Sequence, residues 1–89
     1  REVTYMTTEN FGYAAQIEVG AMLVGKIANN VYDRPVKRGE EKGKFLYGGS
    51  TVILLLEKDK VELDESYFDN TFKGNEIPVV MGEVLGKKK

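Results

Sequence analysis

The sequence predicts a mainly β domain, a compact β-sandwich or barrel-like sandwich with at most one short helix. Three observations carry that prediction. Short runs rich in β-branched, aromatic or aliphatic residues recur along the chain, each bounded by glycine, asparagine or proline. Several of these runs alternate with period two, as half-buried strands do. Only 65–72 has the spacing of a helix. A chain of 89 residues holds one small core, so a single domain over 1–89 is expected.

The elements follow in order. Residues 3–8 are β-branched and aromatic, and the breaker Glu9-Asn10-Phe11-Gly12 ends them. Extended pattern resumes over 13–19, where Ala15, Ile17 and Val19 alternate with Gln16 and Glu18. Gly20 interrupts, and 21–27 continues as a buried strand. Asn29-Asn30 and Arg34-Pro35 both disfavour regular structure, so 29–35 is a loop. Residues 36–43 are charged and glycine-bounded and read as a turn. A short strand follows over 44–47, with Phe45 and Tyr47 on one face.

Gly48-Gly49 breaks that strand. Residues 52–57 are apolar on both faces, which predicts a central strand. Lys58-Asp59-Lys60 reads as a hairpin tip with 61–63 returning. Asp64 is placed to cap a helix over 65–72, with Tyr67, Phe68 and Phe72 toward the core. An irregular loop is the equal alternative there. Gly74-Asn75 is a turn, and 77–85 is a last strand with Gly82 as a bulge.

Composition excludes several functions. Lys and Arg number 13 against 14 Asp and Glu, a net charge of −1, so no global field points to nucleic acid. Hydrophobic residues at 42% and charged residues at 30% suit a soluble globular chain rather than a disordered one. The cluster Lys87-Lys88-Lys89 reads as a solvated tail before it reads as a lipid contact. Cysteine is absent, which removes disulfides, thiolate metal sites and a cysteine nucleophile. Histidine is absent too, so a zinc site would need carboxylates alone, and no metal is expected. The apolar run 52–56 is far too short to cross a bilayer as a helix. No signal-peptide pattern is present. The start at Arg1-Glu2-Val3 falls mid-pattern, as in a piece of a longer protein.

One stretch carries chemistry. Phe45-Leu46-Tyr47-Gly48-Gly49-Ser50-Thr51-Val52 sets a Gly-Gly-Ser-Thr turn between two strand-like runs. At a Gly-Ser bond the serine hydroxyl can attack the preceding carbonyl carbon and convert the amide to an ester. Removal of the serine α-proton then expels the carboxylate by β-elimination. The dehydroalanine left behind takes up water, loses ammonia and becomes a pyruvoyl group. The chain would then be two, 1–49 and 50–89. Gly49 has no Cβ, so the attacking oxygen can come close, and flanking strands would hold the turn in place. Thr51 offers a hydroxyl and a backbone N–H toward a developing oxyanion. A base for the serine hydroxyl is missing. The ketone of a pyruvoyl group can condense with a substrate amine and accept electrons as carbon dioxide leaves, much as PLP does. Without other context, such a turn is far more often only a turn.

Context comes from a resemblance that runs along most of the chain in colinear order. Thr8-Glu9-Asn10-Phe11-Gly12, Glu18-Val19-Gly20-Ala21-Met22-Leu23-Val24-Gly25-Lys26-Ile27, Val36-Lys37-Arg38-Gly39-Glu40-Glu41-Lys42-Gly43, the Gly48-Gly49-Ser50-Thr51 run and Met81-Gly82-Glu83 together resemble the C-terminal part of the phosphatidylserine decarboxylases. The resemblance implies that Ser50 is the pyruvoyl precursor, with Gly49 ending the other subunit. It implies a parent that converts phosphatidylserine to phosphatidylethanolamine at a membrane surface. The upstream region of the same proenzyme would be a partner, and a homo-oligomer is compatible with the sequence. That family's processing His and its partner Asp match no position here. The chain alone is therefore expected to keep the fold, to remain uncut at Ser50 and to be inactive.

The remaining candidates have plainer readings beside them. Phe45 and Tyr47 could line a substrate pocket, but core packing is the stronger reading. Gly20 and Gly25 suit bulges better than a binding loop. Glu40 and Glu41 suit a solvated turn better than acid–base work. Glu57-Lys58-Asp59-Lys60-Val61 is similar to the hairpin tip of lipoyl carrier domains, so a carrier modified on Lys60 is one alternative function. A catalytically silent β-sandwich binding module is the other.

Overall fold

The computed structural model describes residues 1–20, 27–29, 33–46 and 49–89. Among these the chain is mainly β, with one short helix. In order it forms β1 (Glu2–Thr8), β2 (Gly12–Val19), β3 (Ile27–Asn29), β4 (Gly43–Phe45), β5 (Thr51–Leu56), β6 (Val61–Leu63), α1 (Glu65–Phe72) and β7 (Gly86–Lys88). Three sheets result: β1-β2-β5, β3-β4 and β6-β7. The sheets are small and open. Two compact units divide the residues: Arg1–Met6 with Ala15–Leu55, and Thr7–Ala14 with Leu56–Lys89.

In the first unit, β3 and β4 are antiparallel, with Ile27 opposite Phe45, Ala28 opposite Lys44 and Asn29 opposite Gly43. Gly43 is required there. A Cβ on it would overlap the Ala28 carbonyl oxygen and lie 2.5 Å from Asn29 Oδ1 and 2.8 Å from Asn29 Cα. Asn29, expected to open a loop over 29–35, belongs to a strand instead. The strand expected over 21–27 lies outside the described residues except for Ile27, which opens β3.

In the second unit, the β1–β2 turn is tied by Thr8. Its hydroxyl donates to the Gly12 carbonyl at 2.7 Å and accepts from the Phe11 N–H at 2.9 Å. Helix α1 forms over the expected residues, capped by Asp64, whose carboxylate accepts the Ser66 N–H at 2.9 Å. Tyr67 is half-buried, but its two phenylalanines do not face a core. Phe68 is 60% exposed and Phe72 94%.

Four other expectations change. Residues 58–60 form a turn, but β6 does not return along β5; it pairs antiparallel with β7, Val61 opposite Lys88 and Leu63 opposite Gly86. The terminal lysines thus enter a strand instead of a free tail. The Lys89 N–H donates to the Lys60 carbonyl at 3.1 Å, and Lys89 Nζ lies 3.5 Å from Asp59 Oδ1. Pairing of backbone groups outweighs the like charges of 87–89, whose side chains reach water. Residues 77–85 form no strand. Finally, β5 is an edge strand whose Val52, Ile53, Leu54 and Leu55 are all exposed, not a central strand.

Candidate active site

The site is built in the first unit. Strand β4 ends at Phe45, Leu46 bends away, and the chain reaches β5 through Gly49 and Ser50. Gly49 has φ of 77°, in the left-handed region that a side chain strains. The next residue, Ser50, is exposed, and Thr51 is the exposed first residue of β5. The three residues singled out for processing are thus consecutive at a strand start, with the left-handed backbone angle on the glycine. Tyr47 lies outside the described residues. Phe45 is half-buried and lines a pocket of about 150 Å³ with Gln16, Glu18, Asn29 and Val52.

That pocket contains a polar cluster that sequence reasoning missed. Glu18 is 5% exposed, the only charged residue among the buried ones described. Lys42 Nζ donates to its two oxygens at 3.0 and 3.3 Å and to Asn29 Oδ1 at 2.8 Å. Two more donors reach Glu18: Asn29 Nδ2 donates to it at 2.9 Å, and Gln16 Nε2 donates to it at 3.1 Å. Burial pushes the Glu18 carboxyl up, but hydrogen bonds from Asn29, Lys42 and Gln16 outweigh it and hold the group below the usual carboxylate range. The alternation in β2 had put Gln16 and Glu18 on the outer face. Glu18 instead turns inward, because a lysine and two amides satisfy it there. A glutamate among Ala14, Ala15, Ile17 and Val19 was the available signal.

Glu40 and Glu41 stay in the exposed turn, as expected. Glu40 accepts from Arg34 at 2.7 Å and from the Lys37 N–H at 3.2 Å, which holds its carboxyl below the usual range. In the second unit, Lys60 is exposed at the end of the 58–60 turn. Its stem lies over Gly12: a Cβ there would sit 3.5 Å from Lys60 Cγ. Asp59 holds φ of 63° in that turn.

The profile of the phosphatidylserine decarboxylase family matches residues 1–87. The chain belongs to the phosphatidylserine decarboxylase family. Phosphatidylserine decarboxylase proenzyme 2 of Clostridium acetobutylicum is 44% identical over 87 residues, which cover 98% of this chain and 30% of the relative. The phosphatidylserine decarboxylase proenzymes of Clostridium botulinum and Fusobacterium nucleatum are each 44% identical, over 89 and 90 residues, covering 99% and 100% of this chain and 30% of each relative. The chain thus spans about 30% of the length of the curated relatives it matches. No solved structure matches. Membership in the decarboxylase family weighs against the lipoyl-carrier reading of Lys60.

Proposed function

We propose that the whole protein decarboxylates phosphatidylserine to phosphatidylethanolamine, with a pyruvoyl group made from Ser50 by self-cleavage of the Gly49–Ser50 bond. The observation that carries this is the left-handed Gly49 directly before an exposed Ser50, between two strands, in a chain of this family. A glycine there leaves its carbonyl open to the serine hydroxyl on the side where a side chain would stand.

The chain's own residues set up the cleavage. Ser50 Oγ attacks the Gly49 carbonyl carbon, the C–N bond breaks, and the hydroxyl proton passes to the freed amine by way of a base. Loss of the Ser50 α-proton then breaks the Cβ–O bond and frees Gly49 as a carboxylate. Water enters and ammonia leaves. The Thr51 N–H, one residue past the scissile amide, is a backbone donor for charge on the Gly49 oxygen. The sequence has no histidine, so the base belongs to another part of the parent protein. The pyruvoyl group, once made, supplies the electron sink for loss of carbon dioxide from an amine-bearing substrate. The parent works at a membrane surface, where its lipid substrate lies; no helix among the described residues is long and apolar enough to cross a membrane.

Intact mass of the purified full-length parent tests this. Two pieces meeting at Gly49 and Ser50, the second with a blocked N-terminus, are expected, together with carbon dioxide release from phosphatidylserine. Ser50→Ala should leave one uncut, inactive chain. An uncut wild-type parent that still decarboxylates would overturn the assignment of Ser50.

A further inference from the structure

Both arms of the segment carrying Gly49–Ser50 run to strand β2, by different means. The downstream arm, β5, is the neighbour of β2 in the sheet. The upstream arm begins at Lys42, whose ammonium grips the Glu18 carboxylate of β2 and the Asn29 side chain of β3. One residue later β4 begins its pairing with β3. Phe45, at the end of β4, and Val52, in β5, then line the same pocket as Glu18. The charged contact thus sets where the upstream arm starts, a few residues before the bond to be cut.

A buried carboxylate invites an acid–base reading. Its partners argue otherwise. The Glu18 side chain is 6% exposed, and three side chains donate to its oxygens. A group held ionised and saturated with donors is a poor proton carrier. Its contacts are those of a fastening.

We propose that Glu18 and Lys42 are a positioning pair, which fixes the upstream arm so that Ser50 Oγ meets the Gly49 carbonyl, without touching the reacting atoms. This rests on the self-cleavage reading above. The attack demands near-contact geometry, and a displacement of about 1 Å lowers such rates by as much as about a hundredfold. The function of the pair is geometric, so its charge is replaceable. A buried ion pair exchanged for apolar side chains of similar volume loses little, whereas removal of one partner strands the other.

The test uses the full-length parent carrying Glu18→Leu, Lys42→Met, or both. Cleavage is followed after synthesis by intact mass, and decarboxylase turnover is measured per pyruvoyl group formed. Each single substitution is expected to slow cleavage by about tenfold to a hundredfold. The double variant is expected within about threefold of wild type, since the apolar pair restores the contact. Turnover per pyruvoyl group stays unchanged in every variant that cleaves. A double variant as slow as the single ones would show that the charge itself is needed and would overturn the proposal. So would single variants cleaving at the wild-type rate, or a loss of turnover per pyruvoyl group. Where a single variant does not fold, the double variant alone decides. A wild-type parent that never cleaves sinks the self-cleavage reading instead, which keeps the two failures apart.

Discussion

Lys42 Nζ lies 3.0 Å and 3.3 Å from the two carboxylate oxygens of Glu18, across a separation of 24 residues in the chain. Asn29 bonds to both partners, so strand β3 is locked into the same contact. A contact of this range, its carboxylate buried and bonded to three side chains, couples the stability of the first unit to one carboxylate.

That coupling has a pH signature. The folded state holds Glu18 below its ordinary range, so ionised Glu18 favours folding. The contribution is fully present above the unfolded-state carboxylate pKa and is lost as pH falls through the depressed folded value. Thermal denaturation of the parent between pH 7 and pH 3 should show a loss of stability on the acid side. Glu18→Gln should be less stable at pH 7 and should show a shallower acid loss. An unchanged acid limb in Glu18→Gln would remove Glu18 from the account.

Gly43 is predicted to tolerate no side chain. A Cβ would press on the backbone of Ala28 and Asn29, neither of which is the free end of a flexible chain. Gly43→Ala should cost about 1–3 kcal/mol, the range for overpacking, and should open the β3–β4 pairing. Chemical denaturation gives the loss, and amide exchange at Asn29 locates it.

Gly49→Ala should slow self-cleavage without unfolding the parent. An alanine at φ of 77° adds about 1–2 kcal/mol of backbone strain, which an exposed segment relieves by moving. That movement takes the carbonyl away from Ser50 Oγ. The expected reading is a cleavage rate lower by about tenfold with a melting temperature close to wild type.

Asp64→Ala should loosen α1. The Asp64 carboxylate accepts both the N–H and the hydroxyl of Ser66, at 2.9 Å and 2.8 Å. Those bonds hold its pKa below the ordinary value, so the cap is complete at neutral pH and fails as the carboxylate is protonated in acid. Hydrogen exchange over 65–72 should quicken in the variant, and cleavage at Ser50 should not change.

Lys60→Met should change neither cleavage nor decarboxylation, and wild-type fragments of the parent should carry no added mass on Lys60. A lipoyl-sized increment there would revive the carrier reading.

Local chemistry made much of the fold legible. Helix α1 was legible because Asp64 is a capping residue before a run with helical spacing, and a cap needs only its own neighbours. The turn at 58–60 and the extended nature of 3–8, 13–19 and 52–56 were legible for the same reason. The family was legible in motifs kept in colinear order, and Gly49-Ser50 came with them.

Partnership was decided only in three dimensions. Nothing in 61–63 says that its neighbour is 86–88 rather than 52–56, since backbone donors and acceptors are alike in every strand. Alternation alone sent Glu18 outward. The ammonium of Lys42 and the amides of Asn29 and Gln16, gathered from distant parts of the chain, make its burial tolerable. Sequence by itself determined the family to which the chain belongs. Tertiary structure decided which buried charge fastens the arm beside Ser50, because a desolvated carboxylate can be placed only where its partners also arrive.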